Sequence, residues 1–392
     1  MGLDNKKGKL LGRDRDELIN LADKALKREG VISVIVVLLG FLLGTLLIAF
    51  VGKNPSGMYS SIWQAITGHN TVTGRFNIRN IGDTLNYLVP FTLCGLSIAF
   101  AYRAGLFNIG AEGQYIVGMT VATVCAYYGP KVPVIHAVYC LLMATAAAAA
   151  YGGVVGYLKS KFEVSEVVAT IMLNYTALYL SRMVCMALPG ATTYNTSPFP
   201  KTALMKWGPL ESMFNGSTIN LGILVLVFGL LVYWFIMEKT ILGFELKATG
   251  FNKNASLASG IPTRRSTILS MAISGAFAGA AGAVVAIGSF TYGRIVSGMD
   301  NYGFNGIAVA LIGNCKTIGI LLAGYLFGVL KQAQQFMQTR GVPREVTFII
   351  QGVIVVFIAL RSAAEIMRAR ISKMKVGDSK AKSGAPASVK AE

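Results

Sequence analysis

The sequence predicts an all-α polytopic membrane protein of about ten transmembrane helices, with both termini in the cytoplasm. Three observations carry this. Hydrophobic residues make up 54% of the 392 and charged residues only 14%, where soluble domains carry about 25% charged residues. Val31 to Val51 runs without a charge, and about 20 apolar residues suffice to cross a bilayer. Comparable apolar runs recur along the chain as far as residue 366. The mean hydropathy of +0.57 excludes a disordered chain, a disulfide scaffold and a typical soluble enzyme.

The first run is too long, and starts too far into the chain, for a signal peptide, and is read as a retained span. Further runs lie at 84–100, 110–128, 132–157, 165–188, 218–237 and 267–290. Three more follow at 303–314, 317–337 and 346–366. Eight crossings result instead if 303–337 does not cross twice. The net charge of +18 follows the loops. With the N-terminus inside, 25 Lys and Arg fall on cytoplasmic segments and 9 on external ones, as the positive-inside rule requires. No basic stripe interleaved with aromatics marks a nucleic-acid partner. Spans two to five and seven to ten form two sets of four with opposite starting sides. This topology suggests an inverted repeat.

Arg182 and Lys331 fall inside spans and are expected to snorkel to an interface. Residues 1–30 read as a cytoplasmic segment with an amphipathic helix. Residues 31–366 form the membrane domain, and 367–392 read as a basic disordered tail. The five cysteines are odd in number and form no CxxC pair; they read as small buried side chains. Two distant histidines offer no metal site.

Three segments stand out. Gly105-Leu-Phe-Asn-Ile-Gly-Ala-Glu-Gly-Gln114 joins spans two and three. It is too polar for a lipid-facing helix, and irregular backbone at membrane depth survives only where protein or a cavity surrounds it. Asn108, Glu112 and Gln114 are its candidate pathway residues. It reads equally as a cytoplasmic turn with a helix-start glutamate, favoured by a helix N-terminus. Asp300 to Gly313 is again glycine-rich, with Phe304 and Asn305 as candidates to line a pathway; helix packing through Gly306, Ala310 and Gly313 is the plainer reading. The internal loop 238–266 reads as a helical hairpin, with helices at 244–249 and 254–259 and a turn at Gly250-Phe-Asn-Lys253. No phosphate-binding Gly-x-x-x-x-Gly-Lys-Ser/Thr loop, zinc-protease motif or paired-carboxylate constellation is present. The chain is therefore not expected to be an enzyme. Carboxylate-poor spans also disfavour a proton-driven transporter.

These segments resemble the permease subunits of ATP-binding-cassette importers, in the class handling branched-chain amino acids, ribose and other simple sugars. Residues 105–114 and 303–313 are similar to the nucleoside-uptake permeases. Gly243-x-x-x-Lys-Ala-x-Gly-x-Asn-x-x-Ala-x-x-x-x-Gly-Ile261 is similar to their coupling loop. The resemblance spans roughly 31–366. It implies nucleoside import by alternating access, with ribose or another sugar as the competing substrate. It also implies three partners: a separate ATPase subunit that consumes ATP, a second and different permease, and an extracellular lipoprotein that binds substrate. That lipoprotein would dock on loops 52–83, 189–217 and 338–345. No cofactor is implied on the chain itself. Gly243, Gly250, Asn252, Ala255 and Gly260 are the residues expected to shape the coupling loop.

Overall fold

The computed structural model describes residues 29–343 and 345–357. The amphipathic segment before Glu29, the part of the last apolar run beyond 357 and the basic tail lie outside the described residues. Helix α1 (Glu29–Phe50) is followed by α2 (Ser56–Thr67), α3 (Ile78–Arg103), α4 (Ala111–Tyr128), α5 (Ile135–Phe162) and α6 (Glu166–Met186). A short strand β1 (Asn195–Pro198) and the one-turn α7 (Gly208–Met213) lead to α8 (Gly222–Lys239). Then come α9 (Ile241–Phe251), α10 (Lys253–Ala258) and α11 (Thr263–Val284), which ends in a π turn over Val285–Ser289. Strand β2 (Tyr292–Arg294), α12 (Tyr302–Ile312), α13 (Thr317–Thr339) and α14 (Glu345–Phe357) complete the described chain.

Among the described residues, six helices are long and apolar enough to cross a membrane: α1, α3, α5, α6, α8 and α11 with its π turn. Helix α13 has 23 residues but carries Lys331, Gln332, Gln334 and Gln335. Helix α4 has 18 residues and is similarly polar at its start. The run expected at 303–314 condenses into an α12 of 11 residues. At 1.5 Å per residue it is about 16 Å long, roughly half the hydrocarbon thickness. It does not cross alone.

Helix α11 is the hub. It packs most extensively on α5, then on α4 and α3. Glycines make this possible, because without a Cβ two backbones approach to contact. A Cβ on Gly282 would overlap the Tyr115 carbonyl oxygen, and one on Gly275 the Ala148 carbonyl. Around this centre lies one large apolar cluster that includes Phe91, Leu96, Phe100, Tyr115, Phe277 and Phe327. A second cluster joins α1, α2, α13 and α14 through Ile48, Met58, Met337, Ile350 and Ile354.

Two features escaped the apolar-run reading. Helix α2 is a half-buried helix within an expected external loop, where the Arg340 guanidinium donates to Ser61 Oγ (2.8 Å) and Gln64 Oε1 (2.7 Å). Strands β1 and β2 pair antiparallel across almost a hundred residues, adding a small sheet to an otherwise helical chain. All five cysteines are buried and free.

Candidate functional site

The segment after α3 does not form a simple turn. Gly105, at φ +75°, reverses the chain, and residues 106–110 run back alongside α11. There Asn108 Nδ2 donates to Ser274 Oγ (2.7 Å) and to Gln114 Oε1 (2.8 Å). Ser274 lies in the twelfth position of α11, about 16 Å along that helix from its start. Helix α4 therefore begins well inside the bundle. Asn174 of α6 fastens the entry: its Oδ1 accepts from the Gly113 N–H (2.7 Å) and its Nδ2 donates to the Ile109 carbonyl (3.0 Å).

Glu112 stands in the first turn of α4 and is fully buried. Its carboxylate does not cap α4. Oε1 accepts from the Asn301 N–H (2.8 Å) and Oε2 from the Gly303 N–H (2.6 Å). These are donors at the start of α12, which has no intrahelical partners for its first N–H groups. The N-termini of α4 and α12 thus meet, with Gly303 so close that a Cβ would overlap the Glu112 backbone. Both halves of the expected repeat place a long helix (α3, α11) before a helix that starts inside the bundle.

Of the five pathway candidates, Asn108, Glu112 and Gln114 converge at this junction. They are at most 1% exposed and are bonded to protein. Phe304 and Asn305 lie on a different, half-exposed face of α12. Among the described residues, no side-chain hydrogen bond of Asn305 accompanies its backbone one. The sequence motifs therefore separate into residues that hold the two short helices together and two partly buried residues on α12.

The hairpin at 240–262 is folded. Thr240 caps α9 by accepting from the Gly243 N–H (3.2 Å). Asn252 caps α10 by accepting from the Asn254 (3.1 Å) and Ala255 (3.0 Å) N–H groups. Ala255 is exposed, and its carbonyl accepts from the Ser259 N–H and hydroxyl, both at 3.0 Å. Gly260, at φ +82°, ends α10 in the left-handed conformation that favours glycine. Gly243 packs on the Ile236 carbonyl at the end of α8. The four-residue turn expected at 250–253 narrows to Asn252, because Gly250 and Phe251 complete the last turn of α9. Gly250 is needed for a close approach instead: its Cα touches the chain at Arg103 and Gly105. The hairpin thus rests directly on the segment that leads to Glu112.

Sequence reading missed a third group. A partly open cavity of about 400 Å³ is lined by residues that include Tyr87, Phe290, Asp300, Tyr302 and Lys331. Asp300 receives both guanidinium nitrogens of Arg294 at 2.8 Å and the Tyr115 hydroxyl at 3.0 Å. Burial works against the Arg294 charge, but the hydrogen bonds and charge of Asp300 outweigh it and push its pKa up. Lys331, expected to snorkel, lines this partly open cavity. It is half-buried in the second half of α13. The charge inside a span was the available signal. Among the described residues, no cluster of His, Cys, Asp and Glu could hold a metal ion.

Residues 80–359 match the family described as the permease component of branched-chain amino acid transport systems. The chain belongs to this permease family. The permease is 37% identical to the guanosine ABC transporter permease protein NupP of Bacillus subtilis, over 87% of its own length and 96% of that relative. It is 33% identical to the nucleoside ABC transporter permease protein NupB of Lactococcus lactis, over 91% and 98%. The glucose ABC transporter permease protein TsgB13 of Haloferax volcanii is 29% identical over 74% and 77%. No solved structure matches. Family and apolar helices together make the permease a multi-pass protein of the cell membrane, a conduit and not a catalyst.

Proposed function

We propose that this permease carries nucleosides into the cell as one membrane subunit of an ATP-binding-cassette importer. The observation that carries the reading is the likeness to two permeases named for nucleosides over nearly the whole chain. It is supported by the partly buried pair Phe304 and Asn305 on α12, an aromatic ring and an amide suited to a neutral polar solute. A second, different permease chain is expected to face this one across the pathway. A lipoprotein delivers substrate on the side opposite the hairpin.

The hairpin is the proposed seat of the ATPase subunit. Phe251 is 94% exposed, and Phe244 and Leu257 are each more than 60% exposed. Clustered exposed apolar side chains mark contact sites. ATP-driven closure of two ATPase subunits moves the hairpin, and the Gly250–Gly105 contact passes the motion to the 106–110 segment and the Glu112 junction. Such a transition needs differential binding to the two states, which ATP supplies on the inner face. Phe251→Asp is expected to leave the permease folded, since the side chain touches little, and to abolish co-purification of the ATPase. Retention of the ATPase by that variant argues against the hairpin as its seat.

The decisive experiment is uptake of labelled guanosine and uridine by cells with and without this chain, with unlabelled adenosine or ribose as competitor. Loss on deletion, with competition by adenosine and not ribose, supports nucleoside import. Unchanged nucleoside uptake with lost ribose or glucose uptake moves the substrate to sugars.

A further inference from the structure

The cavity at the end of α11 remote from the hairpin has more chemistry than packing requires. Its volume of about 400 Å³ falls within the range of about 300–1,000 Å³ typical of small-molecule sites. Most of its polar groups are committed to one another. Asn86 donates to Thr218 Oγ1 and Ser289 Oγ, both at 3.0 Å, and accepts from Asn220 Nδ2 at 2.8 Å. Asp300 is held by Arg294 and Tyr115 as above, and the Arg294 guanidinium lies 4.7 Å from the Phe290 ring centre.

Lys331 is different. It is half-buried in the cavity wall, and its ammonium lies 6.0 Å from the centre of the Phe348 ring. No carboxylate pairs with it among the described residues. With Arg294 offset by Asp300, the cavity keeps one formal positive charge. A half-buried ammonium with no carboxylate beside it is costly. The Tyr302 hydroxyl, in the same wall, also lacks a hydrogen-bond partner among the described residues. Two donors therefore point to an acceptor-rich ligand, and Tyr87 and Phe290 supply rings on which a flat base can stack.

Resting on the reading of this chain as a nucleoside permease, we propose that the cavity is a transient nucleoside station selecting bases with an acceptor edge, the 6-oxopurines, through Lys331. Lysine donates to the O6 and N7 acceptors of guanine, whereas adenine carries an amino donor at the corresponding position. An ammonium aimed at that edge favours guanosine and inosine and disfavours adenosine. Because the lipoprotein also selects substrate, the station needs only modest discrimination.

The test is nucleoside uptake by membrane vesicles containing the complete transporter, comparing wild type with Lys331→Met. The expected result is a rise of about ten-fold in the guanosine KM, the size of one good base-edge contact, with the adenosine KM nearly unchanged. Equal changes for the two nucleosides make Lys331 structural and overturn the station. So does stronger competition by guanosine monophosphate than by guanosine, which means that the cavity reads charge. If Lys331→Met fails to accumulate, Lys331→Gln carries the test, and its guanosine-to-adenosine preference should fall several-fold; an unchanged preference overturns the proposal. Wild-type vesicles that import no nucleoside sink the functional reading itself. Nucleoside import with no effect of Lys331 removes only the station.

Discussion

Glu112→Leu is expected to destabilise the purified permease by about 4 kcal/mol, since it strands two buried N–H groups at about 1–3 kcal/mol each, with further loss from a charged acceptor. The donors are the Asn301 and Gly303 N–H groups at the start of α12. Water does not reach them, because Glu112 is 0% exposed and Gly303 is packed on its backbone. Glu112→Gln should fall between wild type and leucine. It keeps one carbonyl acceptor but turns an amide NH2 toward the second donor. Unfolding temperature in detergent, followed by intrinsic fluorescence, reads the order wild type, glutamine, leucine. If leucine unfolds where wild type does, the carboxylate does not hold α12.

Gly282→Val is expected to prevent accumulation of folded permease. Its Cβ would overlap the Tyr115 carbonyl and lie 2.7 Å from the Met119 nitrogen. Those atoms are helix backbone and cannot swing aside as a side chain can. Overpacking typically costs about 1–3 kcal/mol and more where the neighbour is rigid. Here α11 would have to leave α4 along the contact that also positions Tyr115 and Asp300. Gly298→Ala is the matched control, because nothing lies within 4 Å of the added carbon. Membrane abundance and a symmetric gel-filtration peak should survive in the control and be lost in Gly282→Val. A folded, abundant Gly282→Val would mean that the helix pair tolerates separation.

Much of this fold was legible because hydropathy is a local property. The runs from 31–51 to 267–290 each coincide with a helix, as the bilayer demands of any crossing segment. The hairpin was legible for a similar reason: Thr240, Asn252 and Gly260 are local caps whose chemistry acts within three residues. The junction was only half legible. Polarity and glycines marked 105–114 and 300–313 as irregular, but the partner of Glu112 lies 189 and 191 positions away, and no spacing rule connects them. Polarity alone therefore groups Asn108 and Gln114 with Phe304 and Asn305, although the former close a packed joint and the latter are only partly buried. Helix α2 escaped because it is amphipathic and short, and the β1–β2 pair because three or four residues carry no readable alternation.

The meeting of α4 and α12 has a further consequence. Each helix brings the positive end of its backbone dipole, about half an elementary charge, to the same place. The Glu112 carboxylate, bonded to the first donors of α12, carries about the one negative charge that balances the two ends. The joint is electrically self-contained, and parting α4 from α12 would leave a carboxylate and a helix end uncompensated inside the bundle. The two short helices are therefore expected to move as one body.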